Sequence, residues 1–551
     1  MSTPRFKLSE PVDFLIIGAG AAGGVVAKEL STAGFHVVVL EQGPYLRETD
    51  YSHDEIKYTF QPGLTNDPKI QPITYRKTAA DHAKPFKAIE YGRQVGGGSV
   101  HFTANYWRFH ESDFHERSLY GDIPGTGFAD WPITYADLEP YYTKAEYDLG
   151  ISGLAGANPF EAPRSKPYPL PPMPVKSSGV LFDRATKKLG LHPFPAPVAI
   201  LSQPYRGRSA CMHCGFCESF GCEMLAKSST LASVIPVAEK TGRCEIRPDS
   251  YVRKIEVDGQ GGVTGAVYFD RNRREVFQRA KVIVLCANGV ETPRLLLLSK
   301  SNLFPDGLAN SSGLVGKYLM WDNGSFASGL FEHPLNEYKS IQVTRLIHDH
   351  YRADPKRGFY GGGAIDARFD FYPAGFALLG MPADAPKWGA EYKKMLRTYF
   401  THTMSLLSHS TSLAVEQNTV TTDPEMKDAW GLPAVRITFQ QHPDDVATMK
   451  WMQAREVEIL EAAGAKRVWT QPVEAFTTSS RHLMGTCRMG NDASRSVVNS
   501  HSRAHDVANL FIVDGSNFVT SARQQPTATI QALAYRAADY MIRAAKSGEL
   551  S

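Results

Sequence analysis

Apolar and polar positions follow different rhythms along the chain, and the changes of rhythm mark the elements. Val12-Asp13-Phe14-Leu15-Ile16-Ile17 is an almost continuous apolar run, the pattern of a strand buried on both faces of a parallel sheet. Val25 to Leu30 has helical spacing, ends near Gly34, and is followed by a second apolar strand, Phe35 to Leu40. Tyr251–Val257 and Val263–Phe269 alternate with period two, as a pair of half-buried strands. Leu295–Leu298 predicts a buried helix, and Asp444–Ala463 carries apolar residues at helical spacing. The run Pro167-Tyr-Pro-Leu-Pro-Pro-Met-Pro174 predicts an extended connector. No apolar run approaches the roughly 18 residues that a membrane helix needs.

The first strand–helix–strand unit carries chemistry. Gly18-Ala-Gly20-Ala-Ala-Gly23 follows the first strand directly, and Glu41 closes the second. In this setting Gly18 permits the tight turn, Gly20 lets backbone approach a pyrophosphate, and Gly23 lets helix pack on strand. The helix N-terminus faces the phosphates, and Glu41 would bond the ribose hydroxyls. The pattern by itself does not separate FAD from NAD.

Composition narrows the partners. The chain is 551 residues long, enough for two or more structural units, and 42% hydrophobic, enough for a sizeable core. A formal charge of +3 gives no reason to expect nucleic acid or an acidic membrane. Of seven cysteines, four fall within twelve residues: Cys211, Cys214, Cys217 and Cys222. Thiolates are soft ligands, so this cluster points to iron–sulfur, with zinc and disulfides as the alternatives. The spacing is close to the ferredoxin type, but the last gap is longer and Glu223 follows instead of Pro. Cys286 and Cys487 read as packed thiols.

Five further motifs carry a family resemblance. Gly92-Arg93-Gln94-Val95-Gly96-Gly97-Gly98-Ser99 resembles the first signature of the glucose–methanol–choline (GMC) oxidoreductases. Ala287 to Leu297, with Asn310 to Gly316, is similar to the second. Trp131 to Tyr142, His482 to Gly490 and Val513-Asp514-Gly515-Ser516 are also similar to that family. The cysteine cluster and the ending Pro526 to Ala534 resemble its bacterial dehydrogenase branch: the catalytic subunits of FAD-dependent glucose, fructose, gluconate and glucoside 3-dehydrogenases. The resemblance implies an α/β fold, with a Rossmann-like FAD domain of glutathione-reductase type and an antiparallel-sheet α+β substrate domain. Expected parts are 1–203, the first FAD part with its connector; 204–321, the iron–sulfur segment and second FAD part; 322–476, the substrate domain; and 477–551, the C-terminal FAD part with the active site.

It also implies roles. FAD would lie against Gly18, Gly20, Gly23, Glu41, Arg93, Gly97, Gly98, Ser99, His101, Val252, Asp514, Pro526 and Thr527. His482 matches the family's catalytic base, a residue type whose pKa lies near working pH. Gln525 stands where the family usually has Asn or His, offering an amide on a longer arm. Val100-His101-Phe102-Thr103 resembles the Thr-His-Trp-Thr of pyranose oxidases, whose histidine bonds covalently to FAD, so His101 either carries that bond or packs on the flavin. Cys211, Cys214, Cys217 and Cys222 would hold a four-iron or three-iron cluster. The expected activity is oxidation of a sugar or glucoside hydroxyl by FAD, with electrons leaving through the cluster to a cytochrome c-type or other acceptor. The alternatives are an oxidase using oxygen, with structural cysteines, and a non-catalytic electron-transfer flavoprotein subunit. Branch relatives imply a small subunit that carries the export signal into the periplasm, since Met1 to Lys7 runs straight toward a strand; the other placement is cytoplasmic.

Overall fold

The computed structural model describes residues 5–87, 89–321, 323–473 and 481–550. A mixed sheet is built on β1 (Val12–Ile17), whose parallel neighbours are β2 (Val37–Leu40) and β9 (Glu275–Leu285). β6 (Cys244–Arg247) joins β2 and β17 (Leu510–Ile512) joins β9, both parallel. β8 (Val263–Phe269) and β7 (Tyr251–Val257) extend β9 as an antiparallel pair. The strands predicted from continuous apolar runs are the buried central ones: every residue of β2 is buried, as are all of β1 except Asp13.

Helices cover this sheet. α1 (Gly23–Thr32) follows β1, and α5 (Thr527–Lys546) packs against both α1 and α2 (Tyr135–Leu149). The start of α2 is fixed by a capping box. Asp137 N donates to Thr134 Oγ1 at 3.3 Å, and Thr134 N donates to Asp137 Oδ2 at 2.8 Å. α3 (Asn288–Leu298) leaves the carboxyl end of β9 and contains the four-leucine run.

A second sheet is antiparallel throughout, in the order β16 (Arg467–Thr470), β10 (Phe326–Leu330), β13 (Thr403–Ser410), β12 (Gly363–Arg368), β11 (Arg345–Ile347), β5 (Phe194–Pro195). α4 (Pro443–Ala462) backs it, and Met452, Ile459 and Leu460 pack against Ala327, Ile365, Met404 and Leu406. A third sheet joins β14 (Thr419–Lys427) and β15 (Pro433–Thr438) to β3 (Ile73–Arg76) and β4 (Lys84–Phe86). The sheets therefore cross the expected segment boundaries. Strands from the first 203 residues complete both sheets that are otherwise built from residues 326–470. Asp322, where the expected substrate segment begins, and the expected boundary at 476–477 lie outside the described residues. Among the described residues no helix is long and apolar enough to cross a membrane.

Candidate active site

A cavity of about 500 Å³ lies between the carboxyl ends of β1, β2, β9 and β17 and the face of β12 and β13. Carboxyl ends of parallel strands are where open α/β sheets bind ligands. Of the residues picked from the sequence, Gly18, Gly20, Glu41, Gly97, Gly98, Ser99, His101, Val252, His482, Asp514, Gln525, Pro526 and Thr527 all line it. Gly23 and Arg93 stand behind the wall. A side chain on Gly23 would strike Gly18 O at 1.9 Å, so its role is helix-to-strand packing. The Arg93 backbone lies against Gly43, and its charge acts on Glu41 from the side.

One half of the cavity is cut for a dinucleotide. Gly18 has φ +99°, a conformation side chains resist, and a Cβ there would sit 2.4 Å from Cys286 O. The two glycine loops touch: a Cβ on Gly97 would lie 2.7 Å from Gly20 Cα. Glu41 accepts from Ala19 N and Gly43 N, both at 2.9 Å, which fixes its carboxyl at the cavity edge. Burial pushes that carboxyl up to about 7, against the pull of these amides and of Arg93. Asp514 accepts from Asn288 N at 3.0 Å, Thr292 Oγ1 at 2.6 Å and Ser516 N at 2.8 Å, which ties β17 to the start of α3.

The other half brings reactive groups together. His482 and Gln525 share the wall with Pro526 and Thr527 at the first turn of α5. His101 is buried, and its Nε2 has no hydrogen-bond partner among the described residues. Burial, with Arg481 and Lys227 nearby, pushes its imidazole down to about 3, so it stays neutral. A neutral imidazole among the cavity-lining residues fits either contact with, or a bond to, a flavin.

The structure adds residues that were not picked from the sequence. His409 Nε2 donates to Asp366 Oδ2 at 2.8 Å, and Gln525 Nε2 lies 3.0 Å from His409 Nδ1. Arg368 Nε donates to Asp366 Oδ1 at 2.6 Å and Nη1 to Asp370 Oδ2 at 2.8 Å. Glu218 and Arg481, an ion pair, also reach the cavity. Burial and the Asp370 carboxylate push Glu218 up to about 7. The signal was present in Ile365-Asp366-Ala367-Arg368-Phe369-Asp370, a strict alternation that puts three charges on one strand face.

The cysteine loop borders this site. Ser219 N donates to His101 O at 2.7 Å. The buried Lys227 Nζ donates to Phe102 O at 3.1 Å, Cys217 O at 2.5 Å and Phe220 O at 2.8 Å, and forms no ion pair with an acid among the described residues. His213 N donates to Cys211 Sγ at 3.3 Å. All four cysteines are free thiols, with Cys214 exposed, Cys217 buried, and Cys211 and Cys222 half-buried. Burial pushes Cys211 up to about 11 and Cys217 up to about 12. The donor set suits iron–sulfur chemistry, but the arrangement does not: among the described residues no three Cys, His, Asp or Glu side chains converge to hold a metal ion.

Comparison with known proteins gives the class. The GMC oxidoreductase profiles match residues 12–319 and 414–534, so the chain belongs to the GMC oxidoreductase family, FAD-dependent enzymes acting on CH–OH donors. Among its relatives, the 2-methyl-1,2-propanediol dehydrogenase of Mycolicibacterium austroafricanum is 35% identical, over 97% of this chain and 96% of that protein. The fructose dehydrogenase large subunit of Gluconobacter japonicus is 28% identical, over 97% and 98%. A formate oxidase of Aspergillus oryzae RIB40 shares the fold, with a TM-score of 0.67 at 16% identity, over 99% of this chain and 100% of that one.

Proposed function

We propose that this protein is an FAD-dependent dehydrogenase that oxidises a hydroxyl of a sugar, glucoside or smaller polyol. The observation that carries the reading is the meeting of His482, Gln525 and His101 with the dinucleotide glycines around one cavity. His482 takes the hydroxyl proton as general base, and Gln525 holds the substrate beside it. FAD, held by these residues, would supply the acceptor for the carbinol hydrogen, which would leave as hydride. The carbon–oxygen bond becomes a carbonyl, and the proton leaves on His482. Gly20, Gly97 and Glu41 would hold the pyrophosphate and ribose, with Val252 beside the adenine and Asp514 beside the ribityl or pyrophosphate part. The charged face of Asp370, Arg368, Glu218 and Arg481 suits a hydroxyl-rich molecule. Relatives named for a diol and a sugar support that substrate class.

The finer part of the proposal concerns electron exit. Cys211, Cys214, Cys217 and Cys222 are proposed to hold an iron–sulfur cluster once their loop closes around it. Four soft donors and the acid-free buried Lys227 ammonium support this. A small export-carrying subunit, a cytochrome-type acceptor and a periplasmic site are proposed on the likeness to a protein named as a large subunit. The separated thiols favour a second reading, an oxygen-using oxidase with structural cysteines.

Anaerobic mixing with hexoses, glucosides, 1,2-diols and simple alcohols tests the main reading, because oxidation bleaches the flavin absorbance. In His482→Ala the bleaching rate falls by roughly 10²–10⁴-fold with flavin content unchanged; a full rate would remove the assigned base. Iron and sulfide at cluster stoichiometry, with slow oxygen turnover, support the dehydrogenase. Flavin without iron and fast oxygen turnover support the oxidase.

A further inference from the structure

The stretch from Cys217 to Thr230 is tied to three separate parts of the cavity wall. The first is the strip at His101 and Phe102. Ser219 N donates to His101 O at 2.7 Å. The buried Lys227 Nζ donates to Phe102 O at 3.1 Å, and it also holds Cys217 O and Phe220 O. The second part is the pair of glycine loops. Thr230 N donates to Ser99 Oγ at 3.1 Å, and Thr230 Oγ1 donates to Gly20 O at 3.3 Å. The third is the strip that carries His482. Arg481 Nη1 donates to Glu218 Oε1, and Arg481 Nε donates to Glu90 Oε2 at 2.8 Å. All three parts line the cavity.

The cysteine loop is held from its other side as well. Tyr372 OH donates to Glu218 O at 2.9 Å. Phe216 is stacked with Tyr372 and with His53, at ring-centre distances of 5.2 and 4.1 Å. Ser219 sits at φ +68°, in the left-handed region that side chains disfavour. Such a conformation persists only where its surroundings hold it. The ties differ in strength. Lys227 is shielded from water, whereas Arg481 and Glu90 are partly exposed, which weakens the tie through Glu218.

These bonds are shared by the loop and the wall. Lifting the loop must pull on His101, Phe102 and Arg481, and a flavin lying against them resists that movement. Linkage makes the effect reciprocal. We propose that Lys227, Glu218 and Thr230 are positioning residues that couple flavin binding to the seating of the cysteine loop. Flavin in the cavity holds the loop down, and a lifted loop weakens the hold on flavin. The four thiols thus sit on a segment whose order follows coenzyme occupancy. The coupling rests on the proposed function only in needing FAD in this cavity; it needs no particular alcohol.

The test compares hydrogen exchange in the holoenzyme and in the same protein stripped of FAD, read by mass spectrometry at the amides of residues 217–221. FAD should slow exchange there about tenfold, a usual size for coupled sites. In Lys227→Met the slowing should shrink, and FAD affinity, measured by titration, should weaken in step, by up to that tenfold. Glu218→Ala cuts only the weaker tie and should shift both quantities the same way by less; it serves if Lys227→Met does not fold. A loop that is merely loosened would exchange faster with FAD affinity unchanged. That result in both variants, or no slowing by FAD in wild type, overturns this inference and leaves the proposed function standing, since bleaching by alcohols decides it separately. Failure of wild type to bind FAD overturns both.

Discussion

The flavin cleft and the cysteine loop are neighbours joined by Ser219 and Lys227, yet they are built in opposite ways. The cleft is assembled from strand ends, a helix start and two glycine loops in contact, so rigid backbone sets its geometry before any ligand arrives. Between Gln203 and Thr230 the four cysteines sit in chain without helix or strand. Their donors are present but spread from buried Cys217 to exposed Cys214. A preformed site puts its binding energy into affinity; a loop that a cluster would have to gather would turn part of it into folding.

Substitutions should expose that contrast, most strongly in the cleft. Gly97→Val would put a branched side chain at φ +52° and 2.7 Å from Gly20 Cα. Backbone strain of about 1–3 kcal/mol adds to the clash, so the purified protein should hold less than about a tenth of the wild-type flavin. Normal flavin content, read from absorbance, would mean the glycine contact is slack. Anaerobic loading with iron and sulfide should act on the other region. It should protect Cys211, Cys214, Cys217 and Cys222 from alkylation and raise Tm by a few degrees or so, with the flavin spectrum of the cleft little changed. No protection would show that the loop does not gather a cluster.

Lys227→Met addresses the joint between them. Three carbonyls lose their donor, so urea unfolding should show a loss of about 1–3 kcal/mol, offset in part by removal of a buried charge. A smaller effect is expected from pH. Glu41 has a folded value near 7 against an ordinary 4.5. Without flavin, its contribution to stability is full below about pH 4.5 and is lost as pH rises through 7. Ribose hydroxyls need the ionised acceptor, so FAD affinity should run the other way, strengthening about tenfold from pH 6 to pH 8. Titration of apoprotein with FAD at the two pH values checks this, and Glu41→Gln should flatten the change.

What the sequence revealed follows the same division. β1, α1 and β2 were legible because local periodicity and glycine spacing determine them, and β7 and β8 because alternation does. The expected site residues on the cavity wall sit at element ends marked by short motifs. The His409 network was not legible, since its contacts span a register between strands about forty residues apart. Asp366-x-Arg368-x-Asp370 looks the same in sequence whether its charged face meets water or a cavity. The joining of β3 and β4 to β15 was hidden for the same reason: pairing across hundreds of residues leaves no local trace.

β9 receives β1 on one side and β17 on the other, partners that lie at opposite ends of the chain. A ribosome adding roughly 5–20 residues per second delivers Leu510 on the order of half a minute after Leu285. Through that interval the edge at Ile283, Val284 and Leu285 stays open to wrong partners, including other nascent chains. Asp514, Gln525 and Thr527 emerge later still, so the coenzyme can be captured firmly only after they are made. Expression of this protein should therefore depend on chaperone supply during elongation more than on flavin supply.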